Sequence, residues 1–366
     1  MVIVRDKRLR EFCKKILIAA GTPAEEAEWV AECLVLSNLK GVDSHGVQLV
    51  PGYVDAIEEG FLKPGSELQI IKELPATTYF DGGWGYGYTM AREAMKKTIE
   101  KAKKAGVAFS GIRNIHHIGR VGKWAEMALD EELIGIASQP GGVYIAAWGG
   151  IDRKLPIAPI SFAFPTERHR PIVIDMSLGP IAGGRTAILA TRNQKVPDGW
   201  YIDDDGRPIN DPRIFNRGEG AQLPLGQTGL GYKGMALSMI VDILAGPLLG
   251  YTITQAHPFK RRGVFLGAID TEAFTTVEEY KEGVDRLVED LKTSRLAEGF
   301  DCIMVPGEPE WREMKKRLKE GIYLDDEIYK RIIETAEHLG LDPSEYRGEP
   351  GKLEITHPSY TLKYRY

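Results

Sequence analysis

The residues best placed to do chemistry lie between positions 114 and 125, where His116 and His117 stand side by side. The apolar run at 107–112 indicates a buried strand, and apolar residues after position 120 recur at helical spacing. The histidines should therefore lie on a loop at the start of a helix. The positive end of a helix dipole disfavours a charged imidazole, and a neutral histidine can accept a proton as a general base. The alternative is a pair of ordinary half-buried loop residues.

A second candidate is His45, which follows Asp43 and Ser44. Asp43 and Ser44 can cap a helix whose apolar face includes Val47 and Val50, so His45 is predicted in the first turn of that helix. The alternative is a purely structural cap beside a bystander histidine. Both histidines would then lie at positively polarised helix starts.

Composition excludes several classes of function. The chain has 366 residues, 27% charged and 43% hydrophobic, which is typical of a soluble globular protein that divides into two domains. Its net charge of -5 argues against a nucleic-acid partner and against an anionic membrane surface. Three widely spaced cysteines favour reduced thiols in a cytoplasmic protein, with neither a disulfide framework nor a metal site. The N-terminal residues lack the apolar core of a signal peptide.

The periodicity along the chain predicts a mixed α/β fold. Helical stripes mark both ends, so we expect a helical domain from 1–75 plus 276–340 and a sheet domain from 76–275. The tail, 341–366, is expected to dock on the protein body or on a partner subunit.

The segment from Gly229 to Gly234 fits the G-x-G-x-x-G pattern, yet a Rossmann fold is not predicted. A polar, glycine-rich stretch precedes it where a strand is required, and no acid lies about twenty residues on. Residues 235–244 are apolar nearly all round, which predicts a buried helix too short to span a bilayer. Lys233, among glycines before that helix, could hold a phosphate or carboxylate; the alternative is a lysine that extends to solvent.

Several segments in the same order resemble a known family. They are Asp43-Ser-His-Gly-Val47 with Pro51 and Tyr53, the His117–Gly122 loop, Val196–Trp200, Gly231–Gly234 and Pro306–Glu308. Together they resemble the malate/L-lactate dehydrogenase family of non-Rossmann, NAD(P)-dependent oxidoreductases, over roughly residues 5 to 340. Its members act on malate, lactate, sulfolactate, ureidoglycolate and diketo-gulonate, and some reduce cyclic imino acids.

The resemblance implies a homodimer that transfers a hydride between NAD or NADP and a 2-hydroxy acid/2-oxo acid pair, with a non-Rossmann mixed sheet domain for the cofactor. His117 matches the catalytic histidine, with Ser44 and His45 beside the substrate. Gln48 and Tyr53 are assigned to the small carboxylate substrate. The cofactor residues implied are Asp175, Met176, Ser177, Leu178, Gly179, Arg185, Lys233, Gly307 and Glu308.

The chain departs from the family where the substrate carboxylate should bind. Leu49 stands where members usually carry an arginine, and a leucine cannot pair with a carboxylate. We expect Arg120, on the same face as His117, to replace that arginine; the alternative is that Arg120 faces solvent or pairs with an acid such as Glu126. Further departures are residues 156–159, Leu178–Gly179 and Arg185.

Two other functions stay open at this point. One is a reductase of a cyclic imine carboxylate or another C=N substrate. The other is a relative that binds cofactor or ligand without turnover, because the pocket has lost its usual arginine.

Overall fold

The computed structural model describes residues 2–191, 194–213, 217–251, 263–346 and 348–350. Within these ranges the chain has a mixed α/β fold, as the periodicity predicted. The helices are α1 (Asp6–Ala19), α2 (Ala24–Leu39), α3 (Val50–Glu58), α4 (Gly87–Ala105), α5 (Gly122–Glu126), α6 (Gly183–Thr191), α7 (Gln227–Ala245), α8 (Val277–Lys292), α9 (Glu308–Glu320) and α10 (Asp326–His338).

The principal sheet has seven strands. Its strands, from one edge to the other, are β2 (Gln69–Leu74), β3 (Thr77–Asp81), β4 (Val107–Arg113), β13 (Val264–Ile269), β5 (Ile134–Ser138), β8 (Ile160–Phe164) and β9 (Ile172–Met176). Only β3 and β4 pair in parallel, and the other neighbours are antiparallel. A doubly wound dinucleotide fold is mostly parallel, so this sheet confirms the non-Rossmann prediction.

Two smaller sheets accompany it in the described part of the chain. One has five strands in the order β11 (Pro208–Ile209), β10 (Tyr201–Ile202), β12 (Ala221–Gln222), β6 (Val143–Ala146) and β7 (Arg153–Pro156). The other joins the two ends of the chain, because β1 (Val2–Val4) lies between β14 (Ile322–Leu324) and β15 (Glu349–Pro350).

Helices from both ends of the chain pack together. Helix α9 contacts α2, and α10 contacts α3. One hydrophobic core runs from Leu9 of α1 through Ile112 of β4 to Ile332 of α10, so these helices and the sheet share it. The predicted division of the chain into two domains at residues 75 and 276 is not tested by this shared core and stays a prediction. The docking of 341–366 also stays a prediction, because most of that tail lies outside the described residues.

Helix α7 departs from expectation in where it begins, in its burial and in its length. The Gly229–Gly234 segment lies within the helix, at a kink where Leu230 is non-helical. One face is buried, but Tyr232, Leu237, Met239, Ile240 and Ile243 on the rest of the helix are exposed. The prediction of a buried helix was therefore wrong. The prediction that it is too short for a bilayer was also wrong, because residues 227–249 are long and apolar enough by length and composition.

Candidate active site

His117 lies on the loop between β4 and α5, and its ring contacts the buried Tyr53. The hydroxyl of Tyr53 on α3 is 2.8 Å from His117 Nδ1. That hydroxyl is also 3.0 Å from the hydroxyl of Tyr88 on α4. The ring of His45 stacks on that of His117, with 5.5 Å between the ring centroids. The structure thus brings together three residues that the sequence assigned to one site, His117, His45 and Tyr53.

The predicted reason for a neutral histidine was wrong. Helix α5 begins at Gly122, beyond His117, and His45 ends a short 3-10 turn, Asp43–His45, before α3 begins. Neither histidine therefore lies in the first turn of an α-helix. At the start of α5, the N–H of Gly122 donates to Asp175 Oδ2 at 3.0 Å. The free N–H groups at a helix start favour a negative charge, and here the carboxylate of Asp175 supplies it.

The two contacts of His117 Nδ1 differ in what they allow. The N–H of Gly119 can only donate, and it reaches Nδ1 at 3.3 Å. The Tyr53 hydroxyl can either donate or accept, at the shorter distance of 2.8 Å. Because the hydroxyl can reverse, Tyr53 can hold the ring both when Nδ1 carries a proton and when it does not. The long Gly119 contact is the weaker of the two.

A glycine at position 87 allows the loop to lie directly over the start of α4. A Cβ atom there would collide with the carbonyl oxygens of His116 and His117. The N–H of His116 donates to the carbonyl of Gly85 in the same glycine-rich segment. His116 is buried, with its ring edge-on to Tyr53, whereas the His117 ring lies beside His45.

The turn that carries Ser44 and His45 faces the first residues of α6. Ser44 Oγ is 3.0 Å from His45 Nδ1. A Cβ atom on Gly184 would lie 3.1 Å from Ser44 Cβ and 3.3 Å from Gln48 Nε2. Gln48 therefore lies beside Ser44 and Gly184, its role toward substrate stays a prediction, and the exposed Arg185 follows Gly184 on α6. Leu49, in place of the family arginine, packs against the main hydrophobic core.

Arg120 is buried in a network of charges. Its Nη2 lies 2.7 Å from Glu126 Oε2, and its Nη1 lies 3.2 Å from Asp175 Oδ2. Glu126 also accepts from Lys40 Nζ at 2.6 Å. Burial alone would lower the pKa of Arg120, but the two carboxylates outweigh it and raise that pKa above its ordinary value. The structure therefore favours the alternative in which Arg120 pairs with Glu126, and its role toward substrate stays a prediction.

The segments assigned to the cofactor lie along β9. Pro306–Glu308 lies at its start, where the N–H of Val173 donates to the carbonyl of Pro306 at 3.1 Å. Glu308 Oε2 accepts from the N–H of Val305, and Glu308 Oε1 pairs with Lys292. Asp175 and Met176 end β9, and Ser177 Oγ lies 3.3 Å from the N–H of Gly179.

The segment after β9 also contacts α7. Leu178 is fully buried in one hydrophobic cluster with Val241 of α7, and its carbonyl accepts from the N–H of Leu225 at 3.0 Å. Lys233 lies exposed on the same helix. Within the described ranges, no group of three or more His, Cys, Asp or Glu side chains could hold a metal ion.

Sequence reasoning missed the residues that support this site. Tyr88 beneath Tyr53, Lys40 beside Glu126, and the Asn38–Asp43–Arg317 contacts were not singled out. Tyr88 follows a glycine-rich segment, which was a usable signal. Arg317 stands among other basic residues on an amphipathic helix, so its burial cannot be read from its neighbours.

Comparison with known proteins gives a consistent result. The model of the family described as malate/L-lactate dehydrogenase matches residues 4–333. The chain is 34% identical to the L-sulfolactate dehydrogenase of Methanocaldococcus jannaschii over 351 residues, which are 94% of this chain and 99% of that protein.

Two solved structures share the fold. The malate dehydrogenase of Pyrococcus horikoshii OT3 superposes with a TM-score of 0.83 at 34% identity, covering 93% of this chain and 96% of the other. The Δ1-piperideine-2-carboxylate reductase of Pseudomonas syringae pvar. tomato superposes with a TM-score of 0.79 at 26% identity, covering 92% and 100%.

Replacing Arg120 by methionine should destabilise the protein. Asp175 would lose its ion-pair partner and Glu126 would keep only Lys40, and breaking a buried ion pair costs about 3–5 kcal/mol in the free energy of unfolding. Urea unfolding measures this, with Lys104→Met as the control, because the exposed Lys104–Glu100 pair should contribute little to stability. Unchanged stability with a loss confined to kcat/KM would contradict the network and support a substrate role.

Replacing Glu126 by glutamine should weaken the acid sensitivity of the fold. Burial would raise the pKa of Glu126, but Arg120 and Lys40 outweigh it and hold that pKa below its usual range. When the pH falls below about 4.3, the usual pKa of glutamate in an unfolded chain, the unfolded state binds more protons at this group than the folded state does. Acidification therefore favours unfolding until the pH passes the folded-state pKa. The free energy of unfolding, measured from pH 7 to pH 3, should fall less steeply in the variant. Parallel curves would refute the assignment.

Proposed function

Because the chain belongs to the malate/L-lactate dehydrogenase family, we propose that it transfers a hydride between NAD(P) and a 2-hydroxy acid/2-oxo acid pair. The coarser activity, dehydrogenation of the CH–OH group of a hydroxy acid, follows from that membership. The proposal rests on the group formed by His117, Tyr53 and His45. The Tyr53 hydroxyl lies 2.8 Å from His117 Nδ1, and the rings of the two histidines stack.

The residues present fit a nicotinamide cofactor. Buried Gln222 Oε1 has no hydrogen-bond partner within the described part of the chain, and it lies 2.7 Å from where a Cβ on Gly179 would be. Lys233 and Arg185 are exposed cations, of the charge that pyrophosphate requires. The residues that would hold the cofactor are those of 175–179 with Arg185, Lys233, Gly307 and Glu308. When bound, the nicotinamide accepts or supplies the hydride.

His117 moves the proton. In the oxidation direction, its Nε2 accepts the proton of the substrate hydroxyl while Nδ1–H donates to Tyr53, an arrangement that keeps the short Tyr53 contact and gives up the long one from the Gly119 N–H. In the reduction direction, the ring returns that proton to the carbonyl oxygen. Burial raises the pKa of Tyr88 well above its ordinary value, so the hydroxyl behind Tyr53 stays neutral throughout. Ser44 fixes the orientation of the His45 ring, which offers a second polar group to the substrate.

The substrate carboxylate needs a cation that Leu49 does not supply. Arg120 already shares its charge between two carboxylates. Among the residues that the structure describes, the exposed side chain of Arg185 has no such ion-pair partner, and Arg185 follows Gly184, which lies against Ser44 and Gln48. We therefore extend the proposal to Arg185 as a carboxylate partner, beside the role toward cofactor that the sequence suggested.

A substrate screen tests the proposed function. Thermal shift and turnover are measured with NADH and NADPH, each with malate- and lactate-type 2-oxo acids and with cyclic imine carboxylates. Consumption of cofactor with a 2-oxo acid supports the proposal and shows which cofactor is used. Turnover of only the imine would favour the second candidate, which the fold of the piperideine-2-carboxylate reductase supports. A thermal shift without any turnover would indicate a binding protein.

His117→Ala should lower kcat by roughly 10²–10⁴, the usual contribution of a general acid–base residue, with cofactor affinity retained. His116→Ala is the matched control, because its ring lies edge-on to Tyr53, whereas the ring stacked on His45 is that of His117. Steady-state kinetics on the substrate that the screen identifies provide the measurement. Equal losses of kcat in the two variants would contradict the assignment of the proton to His117.

We also propose a cytoplasmic homodimer in which a second copy covers α7. Burial raises the pKa of Cys13 and Cys33 to about 12, which keeps these thiols protonated and inert, as suits a reduced, structural role. The exposed apolar side chains of α7 include Ile240 and Ile243, at 49% and 52% exposure. A patch of this kind marks a contact surface.

Ile240→Glu should therefore separate the dimer into single chains, because it would bury a charge at the contact. Analytical ultracentrifugation measures the mass, and Phe274→Glu is the control, since Phe274 is 77% exposed and lies outside α7. A monomeric wild-type protein would refute the dimer. Sedimentation of the wild-type protein with lipid vesicles, lost in Ile240→Glu, would show that α7 contacts a membrane instead.

A further inference from the structure

The turn that carries Ser44 and His45 is held by a buried arginine from the other end of the chain. Arg317, on α9, lies 2.6 Å from Asp43 Oδ1 through Nη1 and 3.0 Å from Asp43 Oδ2 through Nη2. Two parallel contacts between a guanidinium and a carboxylate fix orientation as well as distance. Asp43 is the first residue of the 3-10 turn that ends at His45.

Asn38 holds the same turn from its other side. Its Nδ2 donates to Asp43 Oδ1 at 2.6 Å, and its Oδ1 accepts from the N–H of Val47 at 2.9 Å. Its carbonyl accepts from Arg317 Nη1 at 2.6 Å. A Cβ atom on Gly46 would collide with the Asn38 side chain, so the backbone here lies directly against it. His45 therefore lies between two anchored residues, Asp43 before it and Val47 after it.

Arg317 is suited to this task by its burial. It is only 5% exposed, and its Nε also pairs with Glu313 one turn earlier on α9, at 2.6 Å. Burial alone would lower the pKa of Arg317, but Asp43 and Glu313 outweigh it and raise that pKa. A lysine would keep the charge but could not make two parallel contacts with one carboxylate.

We propose that Arg317 is a positioning residue, which acts through Asp43 to hold His45 against His117. This inference rests on the proposed function, because it takes His45 as part of the active site. A merely structural link between α9 and α2 would predict lost stability without a selective effect on the chemical step. The proposal instead predicts a lower kcat in protein that is still folded.

The first experiment compares Arg317→Met and Arg317→Lys with the wild-type protein. Arg317→Met should lower kcat by up to roughly 100-fold, because small displacements of catalytic groups cost rate on that scale. Arg317→Lys should recover part of the loss, and the KM for the cofactor should stay unchanged in both. Lys319→Met is the control, since it removes one charge from an exposed position of the same helix. If Arg317→Met does not fold, Arg317→Lys and Asp43→Asn give the comparison.

A double-mutant cycle with His45→Ala separates positioning from general damage. In the His45→Ala background, Arg317→Met should cause no further loss of kcat, because the residue that it positions is already gone. The same loss in both backgrounds would overturn the proposal. Loss of activity in His45→Ala with full activity in Arg317→Met overturns the positioning role alone. Full activity in His45→Ala overturns the role of His45 in the proposed function, and the positioning proposal with it.

Discussion

The buried guanidinium of Arg120 must stay paired, and the arrangement of the site depends on that constraint. Removing one partner of a buried ion pair leaves an uncompensated charge in a medium that solvates it poorly. Arg120 forms ion pairs with Glu126 on α5 and with Asp175 at the end of β9. Glu126 also pairs with Lys40, which follows α2. The histidine loop, the last strand of the sheet and the N-terminal helices are thereby fixed to one another.

Two anchoring systems surround the stacked histidine rings. The Arg120 network holds the loop after His117, and Asn38 with Arg317 holds the turn that ends at His45. Between them, Tyr53 contacts His117 Nδ1 with a hydroxyl that can donate or accept. In the proposed mechanism Nδ1 keeps its proton and the Tyr53 hydroxyl accepts it throughout, so rigid supports hold the ring in place while Nε2 takes up and releases the substrate proton. The protein-side geometry thus agrees with hydride transfer in either direction.

Much of this was predictable from the sequence, and the failures have physical causes. Apolar spacing predicted α1, α2 and the mixed fold, and the motifs brought His117, His45 and Tyr53 together. The same spacing could not distinguish the 3-10 turn at Asp43–His45 from a first helical turn. Nor could this spacing show whether other segments of the same chain cover the apolar side chains of α7. Asp175 reaches Arg120 only through the pairing of strands, and that long-range contact leaves no local pattern.

The central claim, that this chain moves a hydride to the carbonyl carbon of a 2-oxo acid, is tested most directly by isotope transfer. The holoenzyme is given reduced cofactor deuterated at C4 of the nicotinamide, in separate reactions for each of the two faces, with a 2-oxo acid in ordinary water. The account predicts that one face, and only one, delivers deuterium to C2 of the hydroxy acid, in proportion to the cofactor consumed. Hydroxy acid without deuterium from either face, or cofactor bound and never consumed, would contradict it.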